Sequence, residues 1–365
     1  AERFVGLYVF PMDRQIYDDT QRRPTYNEAF ERADVAFEEA WDKISFRENW
    51  EPDGQYLLLD GLGRGKHLHF DSNGITTFVQ DGERWLIDHD YLVRNTTEHS
   101  MLSVLRDGRC AKLVPSLAGL AASGDLPGMA ATRSYVKGYN GVDWDRRVLW
   151  SKGAWFLVQD TITAREAGNY DLDLTWKTID RGNQRVNDSG QFTARRSTAG
   201  ALHIDPALPV RAWVTDYVRQ GISVPVSILH QRQSVRLKAG ASATFCSLVY
   251  ATGPKHPVEF AVEALRPTAH RLKDGLAGFG PDRAGRWQCD ADAWLVSLQT
   301  LSLVAARSIG LGETGLAFEP AANVSLDASA GKMMLTAAKP VSVTARGGAT
   351  AYGQQRVELP AGTHT

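Results

Sequence analysis

Hydrophobic and polar residues alternate along most of this chain with a period of two, the repeat of a β-strand. Such runs follow one another from residue 44 to residue 250, with glycine turns such as Asp81-Gly82 between them. This pattern is typical of an antiparallel sandwich or barrel. The predicted strands are Ile44–Arg47, Gln55–Asp60, Ile75–Gln80, Arg84–Asp88, Met101–Leu105, Arg147–Trp150, Trp155–Ile162, Tyr170–Thr178, Phe192–Arg195, Leu202–Ile204, Ala212–Tyr217, Val224–His230, Ser234–Leu237 and Thr244–Tyr250.

One stretch near the N-terminus has helical spacing instead. Thr25 and Glu28 fit a capping box, which marks the start of a helix. An apolar stripe then recurs every three or four residues. The stripe residues are Phe30, Ala33, Phe37 and Trp41. The spacing predicts an amphipathic helix that packs against a larger body.

These patterns divide the chain into four parts and predict an all-β fold. Residues 1–43 form an N-terminal linker and amphipathic helix, and residues 44–250 form a large antiparallel β-sandwich. Residues 251–287, rich in Pro and Gly, are predicted to be a linker with a short helix near Val258–Leu265. Residues 288–365 return to strand-like runs and form a smaller C-terminal β block.

Composition and charge exclude several classes of protein. The 365 residues include 41 Lys and Arg against 42 Asp and Glu, so the net charge of −1 argues against general nucleic-acid binding. No run of 18 apolar residues predicts a membrane span, and no signal peptide is evident in this form. Three widely spaced cysteines do not make a disulfide framework.

Histidines and aspartates are concentrated in one stretch of the predicted sandwich. Of nine histidines, four lie between residues 67 and 99, interleaved with three aspartates. Imidazole and carboxylate oxygen are the ligands of a zinc site with an open position. The histidines are His67, His69, His89 and His99, and the aspartates are Asp71, Asp88 and Asp90.

The spacing of these residues predicts a metal site at adjoining strand ends. Residues two apart on a strand share a face, so His67 and His69 can present two imidazoles to one groove. Asp88 ends one predicted strand and His99 precedes the next. We therefore expect His69, Asp88 and His99 to bind zinc, with His67 beside it as an acid or base. His89 and Asp90 are either surface neighbours in this interpretation or replace Asp88 as ligand.

Basic and aromatic residues near the cluster predict a site for an acidic sugar. Arg64, Lys66, Arg94 and Arg106 flank it and suit an anionic ligand such as a uronate, or else are scattered surface charge. Some tryptophans are candidate sugar-stacking platforms, although most tryptophans in strands belong to the core. The candidates are Trp50, Trp85, Trp144, Trp150, Trp155, Trp176 and Trp213.

Several segments together resemble the β-sandwich part of the heparinase II/III-like polysaccharide lyases. The resemblance is sharpest at residues 67–74, HLHFDSNG, which is similar to the family's HxHxDxxs segment. It continues through residues 85–88 (WLID) and 98–104 (EHSMLSV), and it extends over about 44–250. It begins at residues 44–50 (ISFRENW).

The resemblance implies an activity and roles for individual residues. The family performs β-elimination on uronate-containing polysaccharides in a cleft between a helical toroid and antiparallel β-sheet domains. It implies zinc at His69, Asp88 and His99, and a catalytic or carboxylate-binding role for His67. Tyr91 matches a tyrosine that lines the site, and Arg64, Lys66 and Arg94 would bind substrate. It also implies a bacterial periplasmic or extracellular location.

The sequence departs from the family pattern in two ways. Ser100 stands where the family has the Asn of its HN pair, and residues 1–43 leave no room for the toroid. We therefore expect either one part of a larger lyase, paired with a toroid domain or chain, or a protein that works without it. Two alternatives stay open: a non-catalytic carbohydrate-binding or assembly module with structural zinc, and a metal-dependent glycoside hydrolase.

Overall fold

A computed structural model of the chain describes residues 4–22, 32–63, 69–88, 95–179, 182–196, 200–217, 225–273, 275–284, 286–297, 300–327, 330–346 and 355–365. Strands dominate these residues, and in them one α-helix, α1 (Arg14–Arg22), is found. The all-β prediction is confirmed. No helix in the described ranges is long and apolar enough to cross a lipid bilayer.

Seventeen strands lie before residue 253 in the described chain. Thirteen of them overlap the predicted runs, and the runs at 224–230 and 234–237 join into one strand. They are β1 (Gly6–Pro11), β2 (Trp41–Arg47), β3 (Tyr56–Asp60), β4 (Gly74–Gln80), β5 (Glu83–Ile87), β6 (Leu102–Arg106), β7 (Gly119–Leu126), β8 (Met129–Tyr139), β9 (Val142–Ser151), β10 (Trp155–Ala164), β11 (Gly168–Ile179), β12 (Gln184–Val186), β13 (Phe192–Arg196), β14 (Gly200–Pro206), β15 (Arg211–Tyr217), β16 (Val226–Leu237) and β17 (Ser242–Thr252).

These strands form two antiparallel sheets. The first has the order β1-β2-β3-β4-β5-β11-β16-β15, with β6 also paired to β11. The second has the order β12-β13-β14-β17-β10-β9-β8-β7. The longest pairing within the first sheet joins β11 to β16 over twelve residues.

The core of the sandwich lies between these two sheets. Phe156 of the second sheet contacts Phe46 and Phe78 of the first, with ring centroids 5.8 and 5.7 Å apart. Polar groups inside the core are paired across it: Ser247 donates to Gln231 at 3.1 Å. The burial of apolar surface between the two sheets is the main source of the stability of such a domain.

The predicted N-terminal helix is wrong in its described part. Its start at Thr25 lies outside the described residues, but residues 32–36 form no helix and Trp41 begins β2. Ala33 and Val35 are buried while their neighbours are exposed, so the period here is two. The wider spacing of the aromatic residues concealed that alternation.

The helix that does form lies earlier, at α1. The carboxylate of Asp13 accepts a hydrogen bond from the backbone N–H of Ile16 at 3.0 Å, which caps the first turn. Tyr17 donates from its hydroxyl to the Val35 carbonyl at 2.7 Å, and this bond ties α1 to residues 32–36.

A compact second unit contains residues 122–133, 149–152 and 260–365. It is built on a third antiparallel sheet, and four of its strands lie in 262–284, where the sequence predicted a linker. The short helix expected near Val258–Leu265 is not formed, because Val262–Arg266 pairs as a strand with Ala269–Leu272. The strands are β18 (Val262–Arg266), β19 (Ala269–Leu272), β20 (Gly275–Phe279), β21 (Asp282–Ala284), β22 (Trp287–Asp290), β23 (Ala293–Val296), β24 (Thr300–Leu311), β25 (Thr314–Asp327), β26 (Lys332–Ala337), β27 (Val341–Arg346), β28 (Gln355–Leu359) and β29 (Gly362–His364).

Candidate functional site

Three side chains capable of binding a metal meet at one end of the first sheet. His69 and Asp71 lie on the segment that leads into β4, and His99 directly precedes β6. One ligand atom from each of the three lies within 4.8 Å of the others. We refer to His69, Asp71 and His99 as the His/Asp group.

Asp88 lies on the other nitrogen of His99. The Nδ1 atom of His99 is 2.8 and 2.9 Å from the two carboxylate oxygens of Asp88. When Nδ1–H donates to this carboxylate, the lone pair of the neutral ring is on Nε2, where a metal can accept it. The sequence prediction had Asp88 as a ligand, whereas the structure groups Asp71 with the two histidines.

Two buried polar atoms indicate that the group is built for a cation. Nε2 of His99 and Oδ1 of Asp71 are buried, and in the described part of the chain neither has a hydrogen-bond partner. An unpaired buried polar atom is costly, so such atoms are rare in folded proteins. A metal ion bound by His69, Asp71 and His99 would pair both atoms at once.

The charges around the group respond to burial and to each other. Burial raises the pKa of Asp71 to about 7, and the charges of Asp60 and Asp88 act in the same direction. Burial alone would lower the pKa of His99, but the hydrogen bond to Asp88 and the negative charges of Asp88 and Asp71 together outweigh it and raise that pKa. A cation would favour the ionised carboxylate and the neutral imidazole, which are the metal-binding forms.

A tight turn sets the direction of the Asp71 side chain. The backbone N–H of Gly74 donates to the Asp71 carbonyl at 2.7 Å, and Asn73 has a φ of 67°. Asparagine tolerates this left-handed conformation better than most residues. Ser72 donates from its hydroxyl to the Pro115 carbonyl. The turn at Ser72-Asn73-Gly74 is therefore anchored to the sandwich.

The strand β11 fixes the backbone of His99. Thr175 donates from its hydroxyl to the His99 carbonyl at 2.6 Å and to the Met101 carbonyl at 2.9 Å. The backbone N–H of Lys177 donates to the Ser100 hydroxyl at 2.9 Å. The buried ammonium of Lys177 lies 3.9 Å from Asp88, so a positive charge faces the carboxylate that orients His99.

A buried arginine joins the two loops of the site. Arg146 on β9 donates to the Asn73 carbonyl at 2.8 Å, beside Asp71, and lies 3.5 Å from the Ser100 carbonyl, beside His99. Its Nε donates to the Asp160 carboxylate at 2.8 Å, and both side chains are fully buried. The guanidinium therefore holds the turn and the His99 segment at a fixed separation.

Five of the eight predicted site residues lie outside the described residues. They are Arg64, Lys66, His67, Tyr91 and Arg94, and His89 and Asp90 also fall there. Arg106 is described, at the opposite end of β6 from His99, where it pairs with Glu166. Asp71 was not singled out as a ligand, although its position two residues after His69 was a usable signal.

The fold is similar to that of solved polysaccharide lyases. No protein-family model matches the sequence, and no curated protein does. The heparan sulfate lyase HepC from Pedobacter heparinus superposes with a TM-score of 0.53 at 14% identity, over 78% of this chain and 46% of that one. A heparinase III matches with a TM-score of 0.52 at 12% identity, over 67% and 42%.

A third structure, the heparinase III BT4657 gene product, gives a TM-score of 0.51 at 10% identity, over 78% of this chain and 41% of that one. This chain therefore spans somewhat less than half the length of the lyases that it matches. At these identities the likeness establishes a heparinase-like β-sandwich fold.

Proposed function

We propose that this chain is the β-sandwich portion of a heparinase II/III-like lyase that cleaves an acidic, uronate-containing polysaccharide by β-elimination. The observation that carries the proposal is the His/Asp group, with two unpartnered buried ligand atoms, on a fold similar to that of heparan sulfate lyases. Such enzymes meet their substrates outside the cytoplasm, so we also propose a periplasmic or extracellular location.

The metal that we propose for the His/Asp group is zinc. Two imidazoles and one carboxylate suit it and leave a fourth position open. In this assignment Asp71 is the carboxylate ligand, and Asp88 orients His99 through Nδ1. A bound zinc would supply positive charge that holds the two imidazoles and the loop before β4 in place.

The chemistry requires two tasks of the protein. A proton α to the uronate carboxylate is removed, and the glycosidic oxygen then leaves from the neighbouring carbon. The developing charge on the carboxylate must be stabilised, for which a charged His67 and the cations Arg64, Lys66 and Arg94 are suited. Tyr91 is the candidate that takes or returns the proton. A helical toroid, in this chain's full-length form or in a partner, would complete the cleft.

A second candidate function follows from the burial of the site. His99 is fully buried and Asp71 is 5% exposed, which is typical of a structural rather than a catalytic metal. The second candidate is therefore a carbohydrate-binding module whose zinc stabilises the fold.

One experiment separates the two candidates. The chain, supplied with zinc and with a helical toroid domain, is incubated with heparan sulfate and with alginate, and the ultraviolet absorbance of newly formed unsaturated uronate is recorded. We expect absorbance to rise with the wild type and not with His67→Ala. The control is His256→Ala, whose ring pairs with Asp81 at 2.7 Å and which should leave turnover unchanged.

Binding without any rise in absorbance, in a chain supplied with zinc and with a toroid domain, would overturn the lyase assignment and favour the binding module. New reducing ends without that absorbance would mean hydrolysis instead.

A further inference from the structure

Trp213 differs from most other tryptophans of the sandwich. Trp85, Trp144 and Trp176 are fully buried core residues. Trp213 is only partly buried and lies on β15, the last strand in the order of the first sheet. A large aromatic ring at a sheet edge is available to a ligand in a way that core rings are not.

Two positive charges and a histidine surround the Trp213 ring. His230 on β16 is its cross-strand partner, and the two rings are stacked, with centroids 4.8 Å apart and planes 3° from parallel. The guanidinium carbons of Arg211 and Arg232 lie 5.4 and 5.3 Å from the ring centroid. With Asp173 these residues form what we call the Trp213 cluster.

Asp173 keeps the cluster rigid. One of its oxygens is 3.1 Å from Nδ1 of His230 and 3.4 Å from the Arg232 guanidinium. Nε2 of His230 bonds with the Thr215 hydroxyl at 2.9 Å, so the ring is held at both nitrogens. The other Asp173 oxygen is buried and has no partner among the described residues.

Arg211 brings an uncompensated charge to this edge. It is exposed, and in the described ranges no carboxylate lies within ion-pair distance of it. With two arginines and one aspartate the cluster is net positive even when His230 is neutral. A planar ring with two guanidinium groups beside it suits a ligand that has both an apolar face and an anionic substituent.

The cluster and the His/Asp group belong to the same face of the first sheet. Thr175, which donates to the His99 carbonyl, is the cross-strand partner of His230, and His230 is the partner of Trp213. Paired residues share a face, and alternate residues of β11 put Asp173 and Lys177 on it as well. Two strand spacings, about 10 Å, therefore separate Thr175 from Trp213.

We propose that the Trp213 cluster is a sugar-binding subsite that holds an acidic residue of the polysaccharide a short distance from the His/Asp group. The indole stacks on the apolar face of the sugar ring, and Arg211 and Arg232 pair with its carboxylate or sulfate. The choice of ligand rests on the proposed lyase function, whereas the subsite itself is inferred from the contacts and charges of the Trp213 cluster.

Equilibrium binding to a heparin-derived hexasaccharide, measured by titration calorimetry, tests this subsite. Trp213→Ala and Arg211→Ala should each weaken the affinity about tenfold, the scale of one lost charge-assisted bond or stacking contact. Trp213→Phe, which keeps an aromatic face, should retain most of it. Thermal unfolding of each variant reports whether the fold is intact.

Trp50 provides a matched control. It is 48% exposed, with the Arg47 guanidinium 4.4 Å from its ring, so it is a second ring with an arginine over it. Trp50→Ala should leave the affinity for the hexasaccharide unchanged. The uncharged maltohexaose should bind weakly to every form.

Three other results would overturn the subsite, and a fourth would separate it from the lyase function. Unchanged affinity in folded Trp213→Ala, or equal losses in Trp50→Ala, would overturn the subsite. Tighter binding of single-stranded DNA than of the hexasaccharide would do so as well. Binding requires no turnover, so a chain that never forms unsaturated uronate but depends on Trp213 would retain the subsite and lose only the lyase function.

Discussion

Two aspartate–histidine pairs lie on the first sheet, and they differ at one atom. In both pairs the aspartate contacts Nδ1 of the histidine, at 2.8 Å in Asp88–His99 and 3.1 Å in Asp173–His230. Nε2 of His230 is satisfied by Thr215, whereas Nε2 of His99 is buried without a partner in the described chain. The Asp173–His230 pair is completed within the protein, and the Asp88–His99 pair needs a ligand from outside.

This difference separates a histidine that organises a surface from one that can bind a metal. A carboxylate on Nδ1 orients the ring in both cases, so the carboxylate alone does not identify a metal ligand. What identifies it is the environment of Nε2: a hydroxyl at His230, and two further ligands, His69 and Asp71, near His99.

The strongest test is to remove each histidine in turn. His99→Ala should reduce zinc from about one ion per chain to none, because a three-ligand site cannot lose one ligand and stay tight. His230→Ala should keep the ion. Elemental analysis of the purified, folded proteins measures both. Zinc retained in His99→Ala, or lost in His230→Ala, would remove the distinction between the pairs.

Arg146 supports only the Asp88–His99 pair, so its removal should affect the loops around that pair. Arg146→Met leaves Asp160 charged and buried without its positively charged partner, which should lower the free energy of unfolding by about 3–5 kcal/mol. The neighbouring Arg147→Met removes a bond from Nη1 to Gln159 at 2.9 Å and should cost about 1 kcal/mol. Chemical denaturation measures both, and equal losses would contradict this role of Arg146.

His270 in the second unit is another buried histidine, and its protonation should make the stability of the protein depend on pH. Burial lowers the pKa of this fully buried ring from 6.5 to about 4, the opposite direction to His99. The unfolded chain binds the proton first, so stability should fall by about 3 kcal/mol as pH drops from 6.5 to 4. His270→Asn should remove that part of the pH dependence. Parallel curves for the variant and the wild type would contradict the assignment.

The smallest expected effect separates the two aspartates of the site. Asp88→Asn should weaken zinc binding by about 10–100-fold, the usual cost of losing an orienting partner. Asp71→Asn should abolish stoichiometric binding, because it removes a ligand charge. Asp173→Asn should change neither, and zinc titration with a competing chelator measures all three. Complete loss in Asp88→Asn alone would restore Asp88 as the ligand.

The sequence predicted the sandwich because its signal is local. Alternation within a run is enough to identify a strand such as β11, and most predicted runs between 44 and 250 became strands. The strand β8 (Met129–Tyr139) was missed because its buried positions are not strictly alternate. The helix predicted through Ala33 does not form. Its short apolar side chains are buried with a period of two, whereas the wider spacing of the large apolar side chains matched the period of a helix.

The site was only partly predictable because distant residues shape it. The pairing of His69 with His99 followed from strand ends, and the structure brings the two together. The inclusion of Asp71 depends on the left-handed backbone of Asn73, whose carbonyl is held by Arg146 from 73 positions away. The placement of His99 depends on Thr175, 76 positions further along the chain. No local pattern contains such contacts.

The position of Arg146 has a consequence for the order of assembly. It reaches two loops from 46 and 73 residues further along the chain, so both are fixed only after β9 has docked. Contacts between residues so far apart in the sequence form late. The chain must lose the conformational entropy of closing a long loop before such contacts can stabilise it. The unfolded chain therefore holds His69 and His99 apart, and the sandwich becomes a receptor for the ion only once it is closed. We expect metal loading to follow refolding as a separate, zinc-dependent phase.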